Sequence, residues 1–513
     1  MTKLSTFPGV VGGGADDTVA VQAAFNSGAK EIEYDIDICH GTIYVPNGVK
    51  KIFGWGKVKQ YSGNSRIFEM DGVEDLWIEK LTIHGNYSQG QMTSSSANDG
   101  ILIKNSFGVR VEGCTFRYIQ NIPIHFMGCV DCTAHDNRIW NCGLGIYTRG
   151  GKTLTITSNK IHDTLFDPSV FTIAISLEST DGHSYGIPIT TIINDNMISG
   201  FNNAQGIMAH SGVNIIFGTN VVDGAVIGLS VNPFNTTDEV SRIIAIGNHA
   251  IGPVSLPGYS GGNDMMIFQG GPASGGGMTP SITDLIVGFN TTTNGNRAEG
   301  AANQGAMRVG YTKRANFVGN TGCTAKGNGL VIAADERSFN ASNNIFEEVM
   351  ENAGVQNGVL VMSGGVTGNI DNLVTNMTGA NAVGVKVNGS NPNLRVSTED
   401  VINVTTPSTG SWGGAPSGDV PSKEILSGTS CDLTGVEVVY FNHSTPTTVD
   451  TWIGVVPGKL YKFVFKSEYT TIGRSNAWLH NSTSYTGGWD DVMLIEGRTA
   501  TTIRQAAPIS VNG

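Results

Sequence analysis

Along most of the chain a short apolar phrase keeps returning. "LGIYTRG" (144–150) is followed by "IAISLES" (173–179), "QGIMAHS" (205–211) and "IGLSVNP" (227–233). Each opens on an aliphatic residue with alternation around it, the mark of a strand with one side toward a core. The openers are Ile101, Ile124, Ile146, Ile175, Ile207, Leu229, Ile267, Met307, Leu330, Val359 and Val385. Steps of 22 or 23 residues recur, as from Ile101 to Ile124 and from Ile207 to Leu229. The longer steps read as the same unit plus a surface insertion. Thirteen residues after an opener stands an Asn: Asn137, Asn159, Asn220, Asn320, Asn343 and Asn372. Insertions displace it to Asn196, Asn248 and Asn290, and the first unit has Cys114 instead.

A fixed period with Asn at one tight turn predicts a parallel β-helix, here over 76–404. Asn tolerates left-handed backbone and bonds its own chain, and stacked Asn side chains can bond one another. A leucine-rich repeat is excluded by the missing leucine spacing, and a propeller needs a longer unit.

The flanks read differently. "ADDTVAVQAAFNSG" (15–28) predicts a helix capped by Asp16 or Asp17, with Val19, Val21, Ala23, Ala24 and Phe25 as its apolar surface and Gly28 at its end. A solenoid needs its open end covered, and this helix, with the first strands up to 75, would do that. "TTPSTGSWGGAPSGDVPS" (405–422) reads as a Pro-, Gly- and Ser-rich linker. Beyond it, "EVVYFNH", "KLYKFVFKSEYTTI", "NAWLH" and "DDVMLIEG" predict an antiparallel β-sandwich over 423–513, for trimerisation or carbohydrate binding.

Composition narrows this. Of 513 residues, 39% are hydrophobic, only 14% are charged and 69 are Gly, which suits a chain that turns every few residues. A net charge of -12 argues against nucleic acid or an anionic membrane as a partner of the overall field, while leaving room for a local basic site. "MTKLSTFPGVVGGG" lacks the apolar core of a signal peptide, and no run reaches the ~18 apolar residues of a membrane helix. The seven Cys are an odd number in a chain that needs no disulfide staples. Cys114, Cys129, Cys132 and Cys142 admit a zinc reading through the CxxC at 129–132, or simple stacking of small apolar thiols inside a solenoid. No cofactor or metal is called for.

Two segments carry a resemblance. "GADDTVAVQAAFNSGAKEIEY" followed by "GTIYVPNG" resembles the opening of the pectate-lyase-like β-helix proteins, a group that includes phage tailspike depolymerases and alginate epimerases. The run from "LSGTSCDLTG" through "VEVVYFNH" to "DVMLIEG" is similar to the C-terminal sandwich of phage tailspikes. The resemblance implies a homotrimer that binds and cuts bacterial surface polysaccharide, carried on a virion tail and acting at the host cell surface. It also implies a virion anchor before the helix. Residues 1–14 are short for one, so either they are the anchor to the phage tail or the spike docks on another protein.

Register supplies the candidate site. If the opener points inward, the residues one and three later point outward, and equal positions on successive coils stack about 4.8 Å apart. The first outward row reads Leu102, His125, Tyr147, Ser176, Met208, Ser230, and the second Lys104, Met127, Arg149, Glu178, His210, Asn232. Arg149, Glu178 and His210 therefore share one face, with Tyr147 and His125 beside them. A guanidinium next to Glu178 favours its carboxylate, which suits a base or nucleophile. Asp163 and Asp181 lie in insertions that can lean over the face, and Trp140 offers a stacking plate for a sugar. Outward apolar residues of later coils, Val331, Ala333, Leu360 and Met362, suggest burial against sister chains.

β-Elimination of a uronate needs a cation for the carboxylate, Arg149 or Lys104, and a base, Tyr147, His125 or His210. Hydrolysis needs two flanking carboxylates, Glu178 and a partner such as Asp163 or Asp181. One carboxylate in register leans the reading toward elimination, with epimerisation a minor option. A non-catalytic adhesin would use the same groove, and an inert strut would use none of it.

Overall fold

The structure is a computed structural model. It describes residues 1–61, 65–86, 98–162, 172–178, 185–200, 205–233, 240–252, 264–270, 282–294, 304–333, 338–350, 355–362, 366–377, 379–391, 393–397, 401–412, 422–425, 427–434, 436, 438–457, 459–473, 477–478, 485–486, 492–499 and 501–505. The chain divides into two units, Met1–Gly413 and Gly414–Gly513.

In the first unit each winding contributes three short strands. One winding shows the plan: Ile124–Met127 on a first face, Thr133–His135 on a second and Arg138–Trp140 on a third. The first-face strands stack into a 14-stranded parallel sheet running from Ile43–Tyr44 to Thr406–Trp412. Strands of the other two faces join a 27-stranded sheet. Inward residues alternate as expected: Ile124, Phe126, Ala134 and Ile139 are each at most 1% exposed. Removing such a column of aliphatic side chains from water is the main driving force for adding a winding, at ~25 cal/mol per Å² of apolar area.

The bend between second and third faces is held by the Asn column. Asn137 Nδ2 donates to Val111 O and to Asn159 Oδ1, at 2.9 and 3.0 Å. Asn159 repeats this toward Asn196, Asn196 toward Asn220, Asn220 toward Asn248, and so on through Asn290, Asn320 and Asn344 to Asn372. Cys114 stands at the head of the column, its N–H donating to Asn137 Oδ1. The left-handed residue is the one before the Asn: Asp136, Ser158, Asp195 and Thr219 have φ of 50, 59, 57 and 51°. The turn thus divides its work, one residue taking the bend and the next the hydrogen bonds. This corrects one ladder position: Asn343 is the left-handed residue, with φ 54°, and Asn344 is the stacked one. One opener shifts likewise, since Met266 and not Ile267 pairs with Leu229 and Met307.

The seven cysteines are free thiols, six of them buried. Cys129 Sγ contacts Ile103 O at 3.3 Å and Cys132 Sγ contacts Val130 O at 3.4 Å, so both thiols are used inside the solenoid wall. Among the described residues no group of three or more His, Cys, Asp and Glu is placed to hold a metal.

At the start, Thr18–Asn26 is helical and buries Val21, Ala24 and Phe25, with Gly28 left-handed just past its end. Phe25 packs against Phe68 of the first face at 6.2 Å between rings, while Val19 stays exposed. Residues 1–14 are built into the solenoid: Thr2–Lys3 pair in parallel with Ile32–Glu33, and Leu4 is fully buried. Windings also begin earlier than residue 76, because Ile43 and Phe68 already stand in register with Ile101.

Buried His40 gives this end a pH dependence. Its Nδ1–H donates to Gly41 O at 2.7 Å and Nε2 accepts from Tyr34 Oη at 3.1 Å, a neutral tautomer enclosed by apolar residues. Burial lowers its pKa from 6.5 to about 4. The unfolded chain therefore binds this proton first as pH falls. The stability contribution is complete above 6.5 and is lost progressively toward 4. His40→Gln should flatten the fall in thermal midpoint across that window, checked by melts at a series of pH values.

The end of the unit departs from expectation. Thr406–Trp412 is not linker but a strand paired in parallel with Ala382–Asn391. The second unit is also not purely antiparallel. Ser422–Ile425, Val438–Phe441 and Leu460–Phe465 pair in parallel, while Leu460–Phe465, Val492–Thr499 and Thr502–Gln505 pair antiparallel, as do Thr470–Ile472 and Tyr485–Thr486. Ser430–Asp432 also lies parallel to Thr451–Ile453, and Thr447–Val449 to Thr470–Ile472. Alternation of apolar and polar residues reads the same for either direction when one face is buried, so direction was invisible in the sequence. This unit has its own core around Phe441, Trp452, Phe463, Phe465 and Met493.

Candidate functional site

The expected register holds. Met127 pairs with Arg149, Arg149 with Glu178, and Leu177 with Ala209, which brings His210 to the next rung. His210 N–H donates to Leu177 O, and Ala209 pairs with Val231, so Asn232 follows. The second outward row is therefore a true column on the first face.

Arg149 Nε lies 3.6 Å from Glu178 Oε2, an ion pair too long for a hydrogen bond, with the two side chains 37% and 20% exposed. Ser176 Oγ donates to Glu178 Oε1 at 3.2 Å. On the far side, His210 Nδ1–H donates to Asn232 O at 2.9 Å, which leaves Nε2 as the ring's acceptor nitrogen. Gly150, directly after Arg149, has φ 65°, and a Cβ there would stand 2.0 Å from Tyr185 O, so the chain from the next winding closes tightly over this edge.

The first outward row behaves otherwise. Leu102, His125, Tyr147, Ser176, Met208 and Ser230 are all buried. They leave the solenoid core but are covered again, and part of the cover is the residue two before each opener. Ile122, Leu144 and Ile173 pack with Tyr147 and Met208 in a satellite apolar cluster. Gln205 meets Ser230 at 3.4 Å. Two rungs replace this apolar contact by a hydrogen-bonded polar pair. Asp99 Oδ2 accepts from His125 Nδ1 at 2.8 Å, and Asp264 Oδ2 accepts from Arg308 Nε at 2.5 Å. Each Asp also takes the backbone N–H of the next winding through Oδ1, from Ile122 and from Gly305. The placement is equivalent: two before Ile101 and two before Met266. The spacing was the signal for these pairs, but it means nothing until that position is known to fold back on the sheet.

Several expectations change accordingly. His125 is 1% exposed and tied to Asp99, with Tyr147 edge-on at 6.2 Å between rings, so it is not open to a substrate. Tyr147 is 8% exposed, and burial first, then the Glu178 charge, raises its pKa well above the ordinary tyrosine value, which removes it as a base. Lys104 is answered by Glu69 at 2.8 Å and Asp71 at 3.4 Å, and the hydrogen bond to Glu69 leads in raising its pKa. Met127 separates it from Arg149, so Arg149 is the cation beside Glu178. Trp140 lies on the third face, paired with Arg117 and His162, and not beside Glu178. Asp163 and Asp181 lie outside the described residues. Val331, Leu360 and Ala333 are buried within one chain, and Met362 is partly buried, so they do not call for a sister chain.

A model of the right-handed β-helix region matches residues 35–183 and 66–249. The fold of a tailspike protein mutant of Escherichia coli bacteriophage HK620, in complex with a hexasaccharide, is similar at a TM-score of 0.50 and 13% identity, covering 88% of this chain and 75% of that one. The chain has the right-handed β-helix fold of the phage tailspikes. A second HK620 tailspike mutant, in complex with a pentasaccharide, covers 92% of this chain and 80% of that one, at the same TM-score of 0.50 and 13% identity. No curated protein matches the sequence. In this β-helix the Arg149–Glu178–His210 column sits where three consecutive first-face strands end, and its half-exposed charges contrast with the buried row beside it.

Proposed function

We propose that the chain is a tailspike-like depolymerase that binds and cleaves a bacterial surface polysaccharide, whether capsule, exopolysaccharide or O-antigen. The observation that carries this reading is the half-exposed Arg149–Glu178 pair, with His210 on the next rung. The likeness of the fold to tailspikes that hold oligosaccharides supports it. In this reading Arg149 neutralises a uronate carboxylate. Glu178 takes the proton from the carbon beside that carboxylate, and the electron pair forms a double bond as the next C–O bond breaks. The leaving oxygen takes its proton from solvent. His210, oriented by Asn232 O, flanks Glu178 on the next rung. The protein would act as a homotrimer, mounted through its N-terminal region on a phage tail or another spike protein, at the host cell surface.

Purified protein incubated with capsule and lipopolysaccharide fractions from a panel of strains tests this. Shortened chains with the ultraviolet absorbance of an unsaturated uronate are expected. Shortening with new reducing ends but no absorbance would replace elimination by hydrolysis. Retarded but intact polymer would make the protein an adhesin, and no interaction with any fraction would sink the reading.

A further inference from the structure

The third face carries a feature that the cleavage reading does not use. Its two outward rows run through five successive windings. One row reads Lys57, Thr82, Thr115, Arg138, Lys160 and the other Lys59, His84, Arg117, Trp140, His162. Five of these ten residues are Lys or Arg and none is acidic; the rows are bounded by Asp37, one winding before, whose Oδ1 accepts from Lys57 N at 2.8 Å, and by Asp223, two windings after. In a chain of net charge -12 this is a marked segregation. Lys57, Lys59, Arg138 and Lys160 are exposed, and among the described residues no carboxylate forms an ion pair with any of the five cations. Their field reaches His84, whose pKa is lowered first by burial and then by Lys57, Arg117 and Lys59, against a smaller opposing effect of Asp37. The aromatic groups are interleaved with the charges. The Arg117 guanidinium lies 4.3 Å from the Trp140 ring centre, His162 meets Trp140 edge-on at 5.5 Å, and Tyr118 meets His84 at 5.9 Å. Arg117 Nε and Trp140 Nε1 are enclosed donors with no hydrogen-bond partner among the described residues.

We infer that this third face is a second binding surface, for an extended acidic polysaccharide. Arg138 and Lys160 stand on adjacent rungs about 4.8 Å apart and repel one another, the other three cations lie within a few rungs on the same face, and an anionic polymer laid along the solenoid axis relieves that repulsion. Five rungs span roughly 20 Å, and a flat strip of this kind fits a single extended chain rather than a duplex. The hydroxyls of Thr82 and Thr115 suit sugar oxygens, and the aromatic rings suit sugar faces. The surface is separate from the Glu178 column, so it would hold polymer while the first face works on it, and it does not depend on the cleavage reading.

The test uses the full chain carrying Glu178→Gln, so that the probe survives if the first face cuts it. Calorimetric titration compares polygalacturonate, neutral dextran and a single-stranded oligonucleotide. Polygalacturonate is expected to bind, more weakly as salt rises, with dextran giving no heat. Arg138→Glu with Lys160→Glu should weaken it by roughly fivefold or more, the size expected from reversing two exposed charges. Lys57→Glu with Lys59→Glu serves as a second variant should the first fail to fold. The inference is overturned by no binding of polygalacturonate, by equal binding of dextran, by tighter binding of the oligonucleotide, or by a smaller effect in a folded variant. None of these outcomes bears on whether the unmodified chain shortens its own polysaccharide.

Discussion

Glu178→Gln should reduce polysaccharide cleavage by roughly 10²–10⁴-fold while leaving the thermal midpoint within a degree or two of the parent. Gln keeps the shape and can still accept from Ser176 Oγ, the bond seen at 3.2 Å. What it loses is the negative charge that faces Arg149 and the lone pair that takes a proton. The structural cost is small because the Arg149 pair is partly exposed and, at 3.6 Å, is not a hydrogen bond. Chain-length analysis of digested polymer measures the first effect and a melting curve the second. Undiminished cleavage in a folded Glu178→Gln protein would move the chemistry off this column. Loss of cleavage with loss of fold would be uninformative by itself, so binding of intact polymer by the variant is measured in the same experiment and is expected to persist.

Asn220→Ala should lower stability by about 3–5 kcal/mol, a large effect for one exchange of a small polar side chain. Asn220 Nδ2 donates to Ile193 O at 2.8 Å and to Asn248 Oδ1 at 2.9 Å. Its Oδ1 accepts from Asn196 N at 3.1 Å and Asn196 Nδ2 at 2.9 Å. All of this is fully buried. Alanine leaves the Asn196 N–H without its partner in a site too enclosed for easy hydration, at about 1–3 kcal/mol, removes the side-chain bonds to Ile193 O and Asn248 Oδ1, and adds a small cavity. Arg138→Ala, at an exposed position three windings away on the third face, should change stability by no more than ~0.5 kcal/mol and is the control. Thermal midpoints at one scan rate decide between them. Equal midpoints would mean that the column is decoration and that apolar stacking alone holds the windings together.

Both expectations rest on register, and register was readable before any coordinates. Arg149, Glu178 and His210 each follow an aliphatic opener by three residues, and that spacing alone placed them on one face. The Asn column was visible for the same reason, apart from the one-residue exchange of Asn343 for Asn344. What misled was the meaning of "outward". His125 and Tyr147 do point out of the solenoid, but Asp99, Leu144 and Ile173 fold back over that row and bury it. A period-two pattern distinguishes the two sides of a strand and says nothing of what lies beyond each side. Trp140 failed in another way. Its strand belongs to a different side of the winding, and an angle of turn between strands has no signature in the alternation.

The sequence by itself determined the repeat, the inward column of aliphatic residues, the Asn turn and the alignment of Arg149 with Glu178. These follow from local geometry, because a strand has two sides and a winding has a fixed length. Tertiary structure alone decided which outward residues meet solvent, where Trp140 and its cationic neighbours gather, and in which direction the last strands run. Those depend on segments far apart in the chain covering one another, and the free energy of that covering is shared among many contacts rather than written at any single residue.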